Sequence, residues 1–145
     1  MQAPTNESPT KPPISFWELV LLGLGVGVAV SVFKSGRRSR DVRHGFEQEK
    51  KIARGLERKG ADVELSPGSR GPHDLRADFG EETWLIQAKS SRRGQAKVPS
   101  PKERQNLIAA AKRQGAKPVV ALSDSGRTTF FHAKSGERLK PKKIT

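Results

Sequence analysis

HDLRADFGEETWLIQAK, residues 73–89, decides how this chain folds. Two short segments, His73–Phe79 and Thr83–Lys89, flank Gly80-Glu81-Glu82, a turn-forming triplet, so the stretch reads as a hairpin. Along the second strand the period of two puts Leu85, Gln87 and Lys89 on one face and Trp84, Ile86 and Ala88 on the other. Gln87 and Lys89 thus emerge together at the end of a mostly apolar strand. Asp74 opens the preceding strand, and antiparallel pairing brings it beside that end. One acid, one amide oxygen and one ammonium converge.

Upstream, Asp41 to Lys59 carries a helical pattern closed by Gly60. At 100° per residue Val42, Phe46, Ile52, Ala53 and Leu56 share a face, with Glu49 near its middle, while Glu47 points the opposite way among the basic residues. A carboxylate aimed at a core needs a cation, a metal or a hydrogen-bond donor. Glu49 either reaches solvent or an arginine at the helix edge, or joins Asp74 at a metal site. Ala61–Leu65 alternates like a half-exposed strand, and Ser66-Pro67-Gly68-Ser69-Arg70-Gly71-Pro72 is rich in turn formers.

Oxygen donors of this kind suit Mg²⁺ or Mn²⁺, which takes one or two carboxylates and keeps water and phosphate oxygens as further ligands. A lysine beside them can orient or help deprotonate an attacking water and stabilise developing charge on a phosphoryl group. Each residue alone has an ordinary explanation: Asp74 as a turn former, Lys89 as a solvated strand end, Gln87 as a loop partner. Their combination points to phosphodiester chemistry.

The order helix-Glu49, Gly68-Ser69 turn, Asp74, Gln87-Ala88-Lys89 resembles the PD-(D/E)xK nuclease superfamily. Within it, Gly45 to Ser90 is most similar to the archaeal Holliday-junction resolvases. Gly45-Phe46-Glu47-Gln48-Glu49-Lys50 resembles their opening helix, Ser66-Pro67-Gly68-Ser69 their glycine-serine turn, Asp74-Leu75 their metal-binding aspartate, and Gln87-Ala88-Lys89 their Glu-x-Lys strand. Gln87 departs from that pattern and is similar to the Gln-x-Lys of Mrr-type restriction enzymes. An amide oxygen can ligate a metal but brings no negative charge, so metal binding should be weaker or limited to one ion.

The resemblance implies an α/β (α+β) restriction-endonuclease-like core, a mixed central sheet flanked by helices, continuing through a helix at Pro101–Gln114 and a strand at Val119–Leu122. It implies a metal-dependent endodeoxyribonuclease with catalytic Glu49, Asp74, Gln87 and Lys89, metal ligands Glu49, Asp74 and Gln87, and a homodimeric state. His132, beside Phe130 and Phe131, reads as a structural residue.

Composition sets the partners. The net charge is +13, with 28 basic against 15 acidic residues, which favours a polyanion. There is no cysteine, so disulfides, thiolate metal sites and cysteine nucleophiles are excluded. Residues 1–33 hold only Lys11 against Glu7 and Glu18, so the whole basic surplus lies beyond them. Lys50, Ser69, Arg70, Arg92, Arg93 and Lys97 are the candidate DNA contacts, through phosphates rather than base edges. A solvated basic face, or one attracted to anionic lipid, is the alternative.

Residues 1–13 read as a disordered tail. Ile14–Phe33, about 20 residues with Glu18 as its one charge, is long enough to cross a bilayer as a helix, and Phe16 and Trp17 sit at one end of it. A cleaved signal peptide would need a basic start and a small-residue cleavage site. Lys34, Arg37, Arg38, Arg40 and Arg43 follow immediately, which puts that flank in the cytoplasm and in reach of lipid headgroups. Gly23 and Gly27 have the spacing of a helix-packing motif. The expected order is tail 1–13, membrane helix 14–33, basic linker 34–43, nuclease-like domain 44–139, and a disordered basic tail 140–145.

Overall fold

The computed structural model describes residues 38–67, 71–91 and 95–144, with side chains from residue 42. Residues 1–37, which include the expected tail and membrane helix, lie outside the described residues, as do Ser69, Arg70, Arg92 and Arg93. The elements are α1 (Arg38–Glu57), β1 (Asp62–Leu65), β2 (Leu75–Asp78), β3 (Thr83–Ser91), α2 (Pro101–Arg113), β4 (Lys117–Asp124), β5 (Arg127–His132) and β6 (Arg138–Leu139). The strands form one six-stranded sheet in the order β1-β2-β3-β4-β5-β6.

The expected hairpin is present: β2 and β3 pair antiparallel, with Leu75 opposite Ile86 and Asp78 opposite Thr83. β3 and β4 pair parallel, from Trp84 opposite Lys117 to Ser91 opposite Asp124. That single parallel step needs a crossover, and α2 supplies it. All other neighbours in the sheet are antiparallel, so the sheet is mixed, as expected.

The period of two on β3 and β4 feeds two separate cores. On one face Ile52, Ala53 and Leu56 of α1 pack on Leu75, Ala77, Trp84, Ile86, Val119, Ala121 and Phe130. On the other, Leu107, Ala110 and Ala111 of α2 pack on Leu85, Val120 and Ala133. The architecture is three layers, helix, sheet and helix. Trp84 stacks tilted against Phe79 and Phe130, with ring centroids at 5.0 and 5.7 Å. Burying each such leucine or aromatic side chain contributes roughly 1.5–3 kcal/mol.

Helix ends are set by local chemistry. Ser100 Oγ accepts the Glu103 N–H while Glu103 Oε2 accepts the Ser100 N–H, a capping box with Pro101 at the first helical position. α1 ends with Gly60 at φ +94, Gly60 N–H donating to Glu57 O and Ala61 N–H to Leu56 O. That pattern requires a left-handed residue, which glycine adopts without steric cost.

The structure departs from the sequence-based expectation in three places. Residues 38–43, read as linker, form the first turns of α1. Val42 and Phe46, expected on the core face, are 72% and 47% exposed. A 20-residue helix is about 30 Å long, whereas β1 and β2 have four residues each, so the first half of α1 overhangs the sheet. Residues 140–144, expected to be disordered, have no regular secondary structure but are tied back: Ile144 N–H donates to Lys59 O at 2.8 Å and its side chain lies against Gly60. Among the described residues no helix is long and apolar enough to cross a membrane.

Candidate active site

Asp74 is pinned on three sides. Its N–H donates to Ile86 O, its carbonyl accepts the Ser66 N–H, and its Oδ2 accepts the Ala88 N–H, each at 2.8 Å. β2 begins only at Leu75, so without that carboxylate the Ala88 N–H would have no strand partner beyond it. The side chain therefore completes the sheet edge and is held beside Gln87-Ala88-Lys89. This is the convergence expected from the hairpin.

Lys89 lies on the face of β3 that also carries Leu85, the face covered by α2. Its Nζ is 2.7 Å from Glu103 Oε1, with both side chains part-buried. Glu103 was not among the residues singled out from sequence. The Ser100-Pro101-Lys102-Glu103 capping box was legible, but it predicts only a helix start; that the acid also meets Lys89 depends on where α2 docks. Gln87, between Leu85 and Lys89 on that face, is half-buried.

Glu49 approaches from α1. Burial pushes its carboxyl up, and the charge of Asp74 pushes it further. Burial also raises Asp74, opposed by the hydrogen bond from Ala88 and by the positive charges of Lys89 and His73, while Glu103 adds to the rise. Glu103 is held below its ordinary value, first by the bond from Lys89, against burial and with help from Ser100. Two acids that are costly to ionise thus sit within electrostatic range of each other, and a third is ion-paired with Lys89.

Glu49, Asp74 and the Gln87 amide oxygen would be the donors for a divalent cation. The paired Glu49 and Asp74 charges are what a cation would relieve, and two carboxylates with an amide oxygen and waters suit Mg²⁺. Among the described residues no group of three or more histidine, cysteine or acidic side chains could hold a metal by itself. His73, next to Asp74, has its Nδ1 buried with no hydrogen-bond partner among the described residues. Burial lowers its pKa, partly offset by Asp74.

The candidate DNA contacts divide. Lys50 lies 4.3 Å from the Phe46 ring centroid and 3.6 Å from Glu47 Oε1, part-exposed on α1. Lys97 is exposed. Ser69, Arg70, Arg92 and Arg93 border the described segments in sequence, in the stretch before Asp74 and the one after β3. His132 is structural, as expected: its Nδ1 accepts the Lys134 and Ser135 N–H groups and closes the turn after β5.

Residues 40–142 match the family model described as archaeal Holliday junction resolvase (hjc). Among solved structures, the chain is similar to Hjc of Archaeoglobus fulgidus, a Holliday junction resolvase from an archaeal hyperthermophile. The TM-score is 0.56 at 24% identity, covering 62% of this chain and 78% of that one. That likeness shows the fold. No curated protein matches the chain.

Proposed function

Since the chain belongs to the archaeal Holliday junction resolvase (hjc) family, we propose that it is a divalent-metal-dependent endonuclease acting on branched DNA. The observation that carries this reading is the Asp74 carboxylate hydrogen-bonded to the Ala88 N–H beside Lys89 at the open end of the β2–β3 hairpin, with Glu49 near enough for the Asp74 charge to raise its carboxyl pKa. Glu49 and Asp74 would hold the ion, with the Gln87 amide oxygen as a neutral donor. Mg²⁺ or Mn²⁺, when bound, supplies Lewis-acid polarisation of a phosphoryl oxygen and of water.

The protein's own residues do the rest. Lys89, a hydrogen-bonded ammonium, donates to the phosphate and stabilises the charge that builds as water oxygen bonds to phosphorus and the bond to the leaving sugar oxygen breaks. The proton of the attacking water passes to solvent or to a nearby carboxylate, and the leaving oxygen regains one. Asp74 has one oxygen tied to the Ala88 N–H, and the other would be its metal ligand. Lys50, Lys97 and the basic residues at 70, 92 and 93 would grip the phosphates of the DNA arms, with binding that weakens as salt rises. A dimer would present two such sites to a symmetric four-way junction.

The test is cleavage of a four-way junction and a linear duplex by the full chain, with and without Mg²⁺ or Mn²⁺. Metal-dependent junction cleavage that disappears in Asp74→Ala and Lys89→Ala supports the reading. Cleavage unchanged in both variants rejects the site.

One residue favours a second reading. Gln87 removes a charge, which fits a catalytically weakened module that holds DNA without cutting it. Such a module would bind junctions tightly under every metal and cut none, and Gln87→Glu would restore cleavage. Residues 14–33 would in either case anchor the chain in a membrane with the basic domain on the cytoplasmic side. Extraction of the full chain from membranes by alkali, without detergent, would reject the anchor.

A further inference from the structure

The face of β3 that bears Leu85, Gln87 and Lys89 is roofed by α2. The first turn of α2 is locked by its capping box, and that lock fixes Glu103. Its Oε2 is committed to the Ser100 N–H at 2.7 Å, leaving Oε1 to meet Lys89 Nζ at 2.7 Å. Both carboxylate oxygens are therefore hydrogen-bonded. A cap alone needs only one of them.

A second fact concerns charge. Lys89 has Gln87 two residues before it on the same face, where an acid would have balanced the ammonium. With an amide there, the balancing carboxylate comes from another element. The Asp74 carboxyl feels both Lys89 and Glu103, so the three groups form one electrostatic unit at the hairpin end.

We propose that Glu103 is a positioning residue of this site: it holds the Lys89 ammonium beside Asp74 and supplies the negative charge that Gln87 lacks. The proposal rests on the nuclease reading only for its consequence in catalysis; the positioning itself is a property of the resting protein. Glu103 then works through Lys89 and need not touch DNA. Helix capping is its other role, and the two can be separated because glutamine serves equally well at the third helical position of a capping box.

The experiment uses the full chain carrying Glu103→Gln, Ser100→Ala, Gln87→Glu, and the pair Gln87→Glu with Glu103→Gln. Glu103→Gln keeps the cap and breaks the ion pair. It should retain the melting temperature and lower kcat on a four-way junction by roughly 10- to 100-fold with KM little changed, as for other groups that orient a catalytic side chain. Adding Gln87→Glu to it should recover most of that loss. Ser100→Ala should lower the melting temperature and leave kcat in place.

A readout independent of cleavage is the acetylation rate of each lysine without DNA or metal, followed by mass spectrometry. Lys89 should react several-fold faster in Glu103→Gln, with Lys102 and Lys112 unchanged as internal standards. Equal Lys89 labelling in the two proteins overturns the proposal. So does wild-type kcat in Glu103→Gln, or a kcat that falls only in step with the melting temperature, which would leave Glu103 a helix cap. A wild-type protein that cuts no DNA overturns the nuclease reading instead, and the labelling ratio then decides alone whether Glu103 holds Lys89.

Discussion

The Oδ2 of Asp74 accepts the main-chain N–H of Ala88 at 2.8 Å, so the acid proposed to hold the metal also closes the hydrogen-bond ladder of the strand that carries Gln87 and Lys89. Structure and proposed chemistry share one carboxylate, and substitutions can separate the two. Asp74→Asn keeps an oxygen that can accept from Ala88; Asp74→Ala leaves that part-buried N–H without a partner, at about 1–3 kcal/mol. In urea unfolding Asp74→Ala should lose about that much and Asp74→Asn markedly less, while both lose junction cleavage. Equal stability of the two variants would show that the bond to Ala88 contributes little.

Burial raises the carboxyl pKa of Glu49, and Asp74 raises it further, so the folded chain binds this proton more tightly than the unfolded chain. The favourable contribution is complete below the unfolded value and is lost as pH rises through the folded one. In metal-free protein Glu49→Gln should therefore be more stable than wild type at pH 7.5, with the gap closing toward pH 4. Thermal unfolding across that range checks the sign; a gap that widens on acidification would refute it.

Metal binding competes with those same protons. Mg²⁺ should raise the melting temperature of wild type more at pH 7.5 than at pH 5, and should do little for Asp74→Asn at either pH. Isothermal titration of Mn²⁺ gives the stoichiometry, with one ion per chain expected because Gln87 brings no charge. Two tight ions per chain would require an acid that the hairpin does not supply.

Two glycines of the opening helix region should respond in opposite directions. Gly60 has φ +94, and a Cβ there would lie 2.9 Å from Ile144 Cβ, so Gly60→Ala should destabilise by about 1 kcal/mol or more. Gly45 lies within α1, and a Cβ added there would meet nothing within 4 Å, so Gly45→Ala should stabilise by roughly 0.5–1 kcal/mol. Chemical denaturation of both variants decides it, and a loss at Gly45 would mean that something outside the described residues packs there.

DNA affinity should fall log-linearly with salt, and removing one phosphate contact should reduce the slope by about 1. Lys97→Ala should do so across junction and duplex alike, with no change in sequence preference. Fluorescence anisotropy at several salt concentrations measures it. An unchanged slope would make Lys97 a solvated side chain.

The hairpin of residues 73–89 and its partition of β3 into two faces followed from the sequence, because a period of two and a turn triplet are local facts. So did both helices, the Gly60 stop of the first, and the family. Asp74, Gln87 and Lys89 were legible for the same reason: one hairpin places them, whatever the rest of the chain does. Local periodicity failed at Val42 and Phe46, which share the apolar face but overhang a sheet whose first two strands are short. How far a helix is covered depends on what lies opposite, and no window of sequence contains that. Tertiary structure alone decided the pairing of Lys89 with Glu103. Their contact depends on the crossover to a parallel β4, which docks α2 on one face of the sheet and lowers its capped first turn onto the strand end.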